Sequence, residues 1–278
     1  MKSCRPLLGT YVEIRVDHDD DSVAASALAA GFSAIERVQR DMSVFTTDSD
    51  IARINRLMPG ETLTIDPWSA EVLALAKDLW AASDGLFDCG IAPQLADWGL
   101  LPSGIGGDDA STIGNLKISD AHAVSLDGPV RLDLGGIAKG FAVDRAVDAM
   151  LASGASGGLI NAGGDLRVFG SAEEAIYLRD PGNPAQLRYA GQLRDGACAT
   201  SATYYSRREQ AGREISALVD PRTRAPLQSR RSYSVIAPHC AVADALTKVL
   251  AVSGNPSLPC FSHFNAHPLI IEPSRGMP

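Results

Sequence analysis

The segment from Leu132 to Gly140 has residue types that could hold an anion. It reads LDLGGIAKG, and it leads from an apolar run through Gly135 and Gly136 into a helix whose first turn carries Lys139. Backbone N–H groups at the start of a helix attract phosphate, glycines let it approach closely, and a lysine adds a full positive charge. A Walker A loop places its lysine after the second glycine, so this arrangement is different. The segment indicates a phosphate site, with a tight connection between two elements as the alternative.

Two more clusters place polar groups beside predicted strand ends. The run NAGGD sets Gly163, Gly164 and Asp165 where a strand must break and restart, so a hairpin turn or a bulge is the alternative to a ligand contact. The run ATSATYY contains Thr200 and Ser201, whose hydroxyls could hydrogen-bond a phosphate or a ribose. For this run a strand edge is the alternative.

A further cluster follows an apolar, strand-like run near the C-terminus. At the start of a predicted helix it contains His239, Asp244, Thr247 and Lys248. An aspartate in the first turn ordinarily interacts with the helix dipole, and it is also a suitable oxygen ligand for Mg2+, completed by phosphate oxygens and water. Asp220 lies in the run LVDPRT, which is typical of an exposed turn. The residues alone leave both roles of Asp244 open.

Periodicity predicts the elements that would position these groups. Asp66 and Pro67 mark a helix start, and Gly85 and Gly254 follow helix ends. The predicted helices, in which apolar residues recur every three or four positions, cover residues 22–41, 67–84, 137–151 and 241–252. The predicted strands cover residues 7–16, 122–126, 130–134, 158–161, 166–169, 175–179, 214–219 and 232–237. The segment 102–112 lacks periodicity and is predicted to be a surface loop and a candidate lid.

The predicted strands come in pairs between helices and do not alternate with them one to one. This order favours an α+β fold over a doubly wound parallel sheet. No repeat, low-complexity tract or linker divides the chain, so we predict a single domain over residues 1–278.

Composition and charge exclude several classes of protein. The 278 residues are 45% apolar and 21% charged, which describes a globular chain and not a disordered one. The net charge of -8 argues against binding nucleic acid, and no apolar stretch approaches the roughly 18 residues of a membrane span. Because no secretory signal is visible, the cytoplasm is the expected location, or the periplasm if a signal was removed. The five scattered cysteines are expected to be reduced thiols that pack in the interior.

Taken together and in order, these blocks resemble the ApbE family, the FAD:protein FMN transferases. The resemblance covers about residues 6–255. Besides the runs quoted above, it is carried by LGT (8–10), MSVF (42–45), DSDI (48–51), Asn55, SDGLFD (83–88), AP (92–93), WG (98–99) and ADALTK (243–248). No single block is specific to the family, but the ordered set is.

The resemblance implies a T-fold-like α+β architecture of two intimately packed α/β halves, with FAD held between them. It implies that Mg2+ helps to cleave the FAD diphosphate, that FMN passes to a Thr or Ser hydroxyl of a target flavoprotein, and that AMP is released. Some members of the family instead hydrolyse FAD to FMN and AMP. The expected cofactors are therefore FAD, as the substrate, and Mg2+.

The resemblance also implies roles for individual residues. It places Asp244, Gly136 and Thr247 at the metal, and it makes Asp244 a catalytic residue as well. The residues that it places at the FAD are Met42, Asn55, Gly135, Gly136, Lys139, Gly163, Gly164, Asp165, Thr200, Ser201 and Leu218.

Two departures from the family pattern concern the chemistry itself. Ala217 stands where the family has a histidine that is the favoured base, and Lys248 stands where a threonine binds the metal. Thr247 is one residue earlier, about 100° away around a helix. We therefore expect another group, His239 or Asp220, to act as the catalytic base, and Lys248 to neutralise phosphate charge in place of part of the metal's role. The alternatives are a protein that binds FAD without transferring FMN and an FAD pyrophosphatase.

Overall fold

A seven-stranded antiparallel sheet forms the centre of the structure, a computed structural model that describes residues 1–105, 110–210 and 212–274. The strands are β1 (Lys2–Leu7), β2 (Thr10–Asp17), β3 (Leu63–Thr64), β4 (Leu116–Ile118), β5 (Ala123–Leu126), β6 (Gly157–Ala162), β7 (Asp165–Phe169), β8 (Glu174–Arg179), β9 (Leu187–Leu193), β10 (Gly196–Ala202), β11 (Arg208–Gln210), β12 (Arg213–Ile215), β13 (Val219–Asp220), β14 (Ala225–Pro226), β15 (Ser232–Ala237) and β16 (His267–Ile271). The helices are α1 (Asp21–Met42), α2 (Asp50–Ile54), α3 (Pro67–Ala82), α4 (Ala92–Asp97), α5 (Ala138–Ala152), α6 (Cys240–Ser253) and α7 (Pro259–His263). The spatial order in the large sheet is β1-β2-β6-β7-β10-β15-β16.

One face of the large sheet is buried because apolar residues alternate along its strands. In β2, Val12, Ile14 and Val16 are fully buried. In the register of β2 with β6, Val12 faces Ala162 and Ile14 faces Ile160. Alternate side chains of a strand point to opposite faces, so these residues form one layer of the core.

Helices α1, α5 and α6 pack together and cover this face, and they confirm the predictions at 22–41, 137–151 and 241–252. The Asp20 carboxylate accepts the first N–H groups of α1, and Gly254 ends α6 in the left-handed conformation with a φ of +61°. At α3, Asp66 caps the helix and proline follows in its first turn, as predicted. Local capping signals therefore set the ends of these helices.

The chain between α1 and α5 forms the second half of the fold. It contains α2, α3, α4 and a three-stranded antiparallel sheet in the order β3-β5-β4. Its buried residues Ile54, Leu73 and Leu79 belong to the same hydrophobic core as Ile35 of α1 and Phe141 of α5. The predicted α+β class, with two intimately packed halves, is therefore confirmed.

The prediction of a strand over residues 130–134 is wrong. The segment pairs with no strand: side chains bind the backbone of Arg131 and Leu132, and the Asp133 N–H donates to the Cys89 carbonyl at 2.8 Å. Asn55 donates to the Leu132 carbonyl at 2.9 Å and accepts the Leu132 N–H at 2.6 Å, and Ser111 makes the same pair of bonds with Arg131. A short apolar run does not distinguish a strand from an extended segment held in this way.

Two other predicted strands are interrupted. The prediction over 7–16 crosses a hairpin turn, because Leu8 and Gly9 have φ values of +56° and +70° and connect β1 to β2. The prediction over 214–219 spans β12 and β13, and between them the single proton of the Ser216 hydroxyl is shared between the Leu227 carbonyl at 3.0 Å and the Leu218 carbonyl at 3.2 Å. Strands β3, β4, β9, β11, β14 and β16 have no counterpart among the predictions, and β10 corresponds only to the strand-edge alternative for ATSATYY.

The predicted surface loop over 102–112 lies partly outside the described residues, which omit 106–109. Its last two residues do not lie in a surface loop. Ser111 is fully buried, and the Thr112 hydroxyl donates to the Asp88 carboxylate at 2.6 Å. This end of the segment is therefore part of the packed interior.

The cysteines and the helices can be compared with two expectations from composition, that the thiols pack in the interior and that no segment spans a membrane. All five cysteines are free, and four are buried, which confirms the prediction of packing thiols except at the exposed Cys4. Among the described helices, none has the length and apolar character needed to cross a membrane.

Candidate active site

A cavity of about 1050 Å3 lies where the two halves of the fold meet. Pockets that bind small molecules and cofactors usually measure about 300–1,000 Å3, so this one has room for a dinucleotide. The residues predicted to contact FAD that line it are Gly135, Gly136, Lys139, Gly163, Gly164, Asp165, Thr200, Ser201 and Leu218. The fold thus brings together groups that the sequence separates by more than eighty positions.

The Gly135–Gly136 turn joins the extended segment 130–134 to α5. A Cβ atom at Gly135 would lie 2.9 Å from Asp133 Oδ2, and a Cβ atom at Gly136 would lie 3.4 Å from Lys248 Cε. The absence of side chains at the turn therefore leaves room for two charged groups at the cavity wall.

Gly140 allows α5 and α6 to cross at close range. A Cβ atom at this position would lie 2.3 Å from the backbone oxygen of Cys240 and 2.7 Å from the backbone nitrogen of Ala241. Both atoms belong to the first turn of α6, so a larger residue would push the two helices apart. Because Lys139 precedes Gly140, this crossing brings Lys139 next to Asp244 of α6.

Four charged residues meet at one end of the cavity, and we call Lys139, Asp165, Asp244 and Lys248 the floor cluster. Lys139 Nζ lies 2.8 Å from Asp165 Oδ2 and 3.4 Å from Asp244 Oδ2. Lys248 Nζ contacts the other carboxylate oxygen of Asp244, Oδ1, and lies 3.0 Å from the Asp244 backbone oxygen. The aspartate side chains are at most 5% exposed, whereas those of Lys139 and Lys248 are 30% and 19% exposed. The lysines therefore present the positive charge of the cluster to the cavity.

The two aspartates of the floor cluster titrate differently. Burial and the neighbouring Asp244 carboxylate raise the pKa of Asp165, against the opposing effect of Lys139. Burial would also raise the pKa of Asp244, but Lys139, Lys248 and the Gly140 N–H together bring it below its ordinary value. Burial would lower the pKa of Lys139, yet both carboxylates hold it above the ordinary value for lysine. Asp244 and Lys139 are therefore ionised at neutral pH.

A second group of charges lies between the same two helices but does not border the cavity. We call Asp144, Arg167 and the first two N–H groups of α6 the capping cluster. The Asp144 carboxylate accepts from the backbone N–H groups of Cys240 and Ala241, both at 2.9 Å, and from Arg167 at 2.7 Å. The N-cap residue of α6, His239, makes no side-chain capping hydrogen bond. A side chain of α5 therefore fixes the start of α6.

The residues expected to bind Mg2+ do not fit a divalent cation. Both carboxylate oxygens of Asp244 already contact lysine ammonium groups. The single hydroxyl proton of Thr247 goes to the Asp244 backbone oxygen at 2.6 Å, so the Thr247 oxygen accepts from Ser201 at 2.7 Å. Within the described part of the chain, no three His, Cys, Asp or Glu residues group as metal ligands. A divalent cation would have to displace Lys248 from Asp244.

The two other predicted clusters serve both as structural elements and as cavity wall. Gly163 and Gly164 form the turn of the β6–β7 hairpin with φ values of +66° and +108°, which glycine adopts without strain. Thr200 and Ser201 lie on β10, and the Thr200 hydroxyl shares a hydrogen bond of 2.7 Å with Ser234 on β15. These four residues therefore form the hairpin turn and the strand that were the alternatives, and they also line the cavity.

Several predicted site residues do not line the cavity. Met42 is buried in the core at the end of α1, and Asn55 is buried and bonded to the extended segment 130–134. His239 is exposed at the start of α6, and Asp220 accepts two backbone N–H groups of its own turn. The role of His239 or Asp220 as the base stays a prediction from the sequence.

The structure adds one residue to the site, Asp133, which lies inside the LDLGGIAKG block and lines the cavity. The other acidic lining residues are held by ion pairs or by three hydrogen bonds: Glu13, Asp88 and Asp165. Among the described residues, no lysine or arginine lies within ion-pair distance of Asp133. Burial raises its pKa, against the effects of the Gly135 N–H and the two nearby lysines. An acid two residues before a glycine turn is the sequence signal that could have identified it.

Ala217 also lines the cavity, beside Leu218. Its backbone N–H donates to the Ser206 hydroxyl at 3.0 Å, and its methyl group can neither accept nor donate a proton. The position at which the family pattern has a histidine is therefore part of the cavity wall, and here it carries no titratable group.

The sheet, the helices and the cavity together define an α+β protein with a dinucleotide-sized site between its two halves. Comparison with known families then identifies the chain as a member of the ApbE family, whose model matches residues 8–262. A relative from Rhodobacter capsulatus, named FAD:protein FMN transferase, is 29% identical over 270 residues, which cover 91% of this chain and 51% of that protein. This chain thus spans about half the length of that relative.

Solved structures confirm the ApbE-like fold. The ApbE protein from Thermotoga maritima is 26% identical with a TM-score of 0.86, and the match covers 97% of this chain and 93% of that one. The apo form of the flavinyl transferase ApbE from Pseudomonas stutzeri is 25% identical with a TM-score of 0.77, and the match covers 91% of this chain and 84% of that one.

Proposed function

We propose that this protein binds FAD in the cavity and transfers FMN from it to a Thr or Ser hydroxyl of a target flavoprotein, releasing AMP. The observation that carries the proposal is the floor cluster, which presents two lysines at one end of a dinucleotide-sized cavity, beside the glycine turns. Ammonium and backbone N–H groups are the donors that bind a diphosphate. The name of the Rhodobacter capsulatus relative supports FAD as the donor of FMN.

The reaction exchanges one bond to phosphorus for another. The acceptor hydroxyl oxygen attacks the phosphorus on the FMN side of the FAD diphosphate, the bond from that phosphorus to the bridging oxygen breaks, and AMP leaves with the bridging oxygen. Lys139 and Lys248 balance the negative charge on the phosphate oxygens during this exchange. The resemblance to the family implies Mg2+ as well, but no step is assigned to Mg2+, because lysines occupy both carboxylate oxygens of Asp244.

Asp133 takes the proton of the acceptor hydroxyl in this proposal. It lines the cavity beside Gly135, it has no ion-pair partner among the described residues, and burial raises its pKa. A base works best when its pKa lies near the operating pH, so a raised pKa favours a carboxylate in this role. Asp133 therefore replaces His239 and Asp220 as the favoured base.

Binding of FAD without transfer is the second candidate function. It is favoured by Ala217, because the cavity wall there carries no group that could take a proton. Hydrolysis of FAD to FMN and AMP is the third, in which water replaces the acceptor hydroxyl.

Incubation with FAD and a candidate acceptor flavoprotein tests the proposal. The acceptor should gain the mass of one FMN in phosphoester linkage, and AMP should appear in equal amount. AMP without a mass gain on any acceptor would identify a hydrolase. Bound FAD with neither product would identify a binding protein.

A further inference from the structure

Lys248 contacts Asp244 in the way that a bound cation would. The two residues lie four positions apart on α6, which places them on the same face of the helix. Lys248 Nζ touches Oδ1 of the carboxylate and lies 3.0 Å from the Asp244 backbone oxygen. The ammonium group therefore binds two oxygens of one residue at a carboxylate that is fully buried.

The side chain of Lys248 also occupies the space next to the glycine turn. A Cβ atom at Gly136 would lie 3.4 Å from Lys248 Cε and 3.8 Å from Lys248 Cδ. Gly136 and Asp244 are two of the residues that the family resemblance assigns to a metal ion. The stem and ammonium group of Lys248 lie against both of them.

The four residues of the floor cluster balance one another in formal charge. Lys139 and Lys248 match the charges of Asp165 and Asp244, so the formal sum is zero. A divalent cation at Asp244 would add two positive charges next to two ammonium groups, with Asp244 already paired. Without Lys248 the cluster would carry a net negative charge, and a divalent cation would be attracted.

Both lysines keep a donor for a ligand. An ammonium group has three N–H bonds. Lys248 donates two of them to Asp244. Lys139 donates one to Asp244, and its contact with Asp165 is an ion pair without hydrogen-bond geometry. Because both side chains line the cavity, a remaining donor of each is available to a phosphate oxygen.

We propose that Lys248 replaces the divalent cation at Asp244, so that the cavity binds the diphosphate of its ligand without a divalent metal. The identity of the ligand, FAD, rests on the proposed function. The Lys248 ammonium group neutralises Asp244 and binds the diphosphate, as a divalent cation would otherwise do. FAD binding therefore does not depend on the concentration of that cation.

Titration of the full chain with FAD, followed by flavin fluorescence, tests this proposal in chelator and in excess Mg2+. The wild-type dissociation constant should agree within about twofold between the two conditions. Lys248→Thr should bind FAD about tenfold more weakly in chelator, because it loses a charge-assisted hydrogen bond, and should regain affinity in Mg2+. Lys248→Met should show the same loss without the recovery, because it offers no oxygen to a metal.

Lys117→Thr is the matched control. It makes the same change at an exposed lysine that pairs with Asp127 and does not line the cavity, and it should bind FAD like the wild-type chain in both conditions. Thermal melts of all variants confirm that any loss of affinity belongs to folded protein.

The outcomes separate this proposal from the proposed function. Binding of FAD by the wild-type chain only in Mg2+ would overturn the role of Lys248 and leave the proposed function standing. Failure to bind FAD in either condition would overturn the proposed function, and a Mn2+ titration of the FAD-free chain then decides the role of Lys248 by itself. No saturable Mn2+ site is expected, and a site that Asp244→Asn abolishes would overturn the proposal.

Discussion

The capping cluster and the floor cluster both pair buried aspartates with basic side chains beside α5 and α6, but only the basic side chains of the floor cluster border the cavity. In the capping cluster, Asp144 is occupied by two backbone N–H groups and by Arg167, and both side chains are at most 13% exposed. In the floor cluster, the aspartates are equally buried, but the lysines line the cavity.

This difference separates architecture from function. The ion pair of the capping cluster does not border the cavity, so it can only hold elements together, even though the Arg167 Nε group has no hydrogen-bond partner among the described residues. A cluster whose cations keep donors facing a cavity can exchange part of its interactions for those of an anionic ligand. The capping cluster fixes where α6 starts, and the floor cluster uses that position to place Asp244 and Lys248.

The largest expected effect comes from removing the capping carboxylate. Asp144→Ala leaves Arg167 without its partner and the start of α6 without its cap, so the free energy of unfolding should fall by about 3–5 kcal/mol. Urea denaturation measures this. Asp148→Ala, on the same helix at an exposed ion pair with Arg145, should change it by less than about 0.5 kcal/mol. Similar values for the two variants would contradict the structural role of the capping cluster.

Asp133→Asn removes the proposed base, which lines the cavity beside the floor cluster. The rate of FMN transfer should fall by about 10²–10⁴-fold, whereas the dissociation constant for FAD should stay within a few-fold. The rate is read from acceptor mass against time at saturating FAD. If His239→Gln or Asp220→Asn causes this loss and Asp133→Asn does not, the assignment from the sequence holds and that of Asp133 fails.

The raised pKa of Asp133 also predicts opposite pH dependences for transfer and for stability. Transfer needs the ionised carboxylate, so its rate should fall about tenfold per pH unit below a midpoint that lies above the ordinary carboxyl value of about 4. Because burial favours the protonated form in the folded state, stability should decrease as pH rises from about 4 through that midpoint. Asp133→Asn should abolish this decrease, and an unchanged stability profile would argue against the assignment.

Lys139→Met and Arg167→Met each remove the positive charge of one basic residue, from the floor cluster and the capping cluster respectively. Loss of a charge-assisted contact should weaken FAD binding about tenfold. Arg167→Met in the capping cluster should lower the free energy of unfolding and leave the FAD affinity of the folded protein unchanged. Equal effects of the two variants on FAD affinity would remove the distinction between the clusters.

The smallest expected effect comes from adding a base at the cavity wall. Ala217→His should raise FMN transfer a few-fold in the wild-type background, because Asp133 already supplies a base there. In an Asp133→Asn background the same change should restore a larger part of the lost rate. No gain in either background would mean that a side chain at position 217 does not reach the reacting atoms.

Much of the fold is predictable because its signals are local. Asp66 and Pro67 at the start of α3 and Gly254 after α6 act through their own backbone neighbourhoods, so the helix ends agree with prediction. The extended segment 130–134 is different, because its hydrogen bonds go to Asn55, Ser111 and the Cys89 carbonyl, which no local pattern brings near.

The candidate site is predictable in part for the same reason. The glycine turns and Lys139 can be recognised in the sequence from residue type and spacing. They all line the cavity, as expected. The capping role of Asp144 depends on how α5 and α6 cross at Gly140, and the cavity position of Asp133 depends on its contacts with Cys89 and the Gly135 turn, which are properties of the packed fold. The sequence shows Lys248 as a departure from the family pattern four residues after Asp244. Only the structure shows that its ammonium group contacts the Asp244 carboxylate.

The most direct test of the central claim is intact-mass spectrometry of an acceptor flavoprotein after incubation with FAD and either the wild-type chain or Asp133→Asn. We expect the acceptor to gain one FMN with the wild-type chain, together with an equal amount of AMP, and to gain far less with the variant. AMP release without any gain in acceptor mass would contradict the transfer of FMN and would make the cavity the site of a hydrolase.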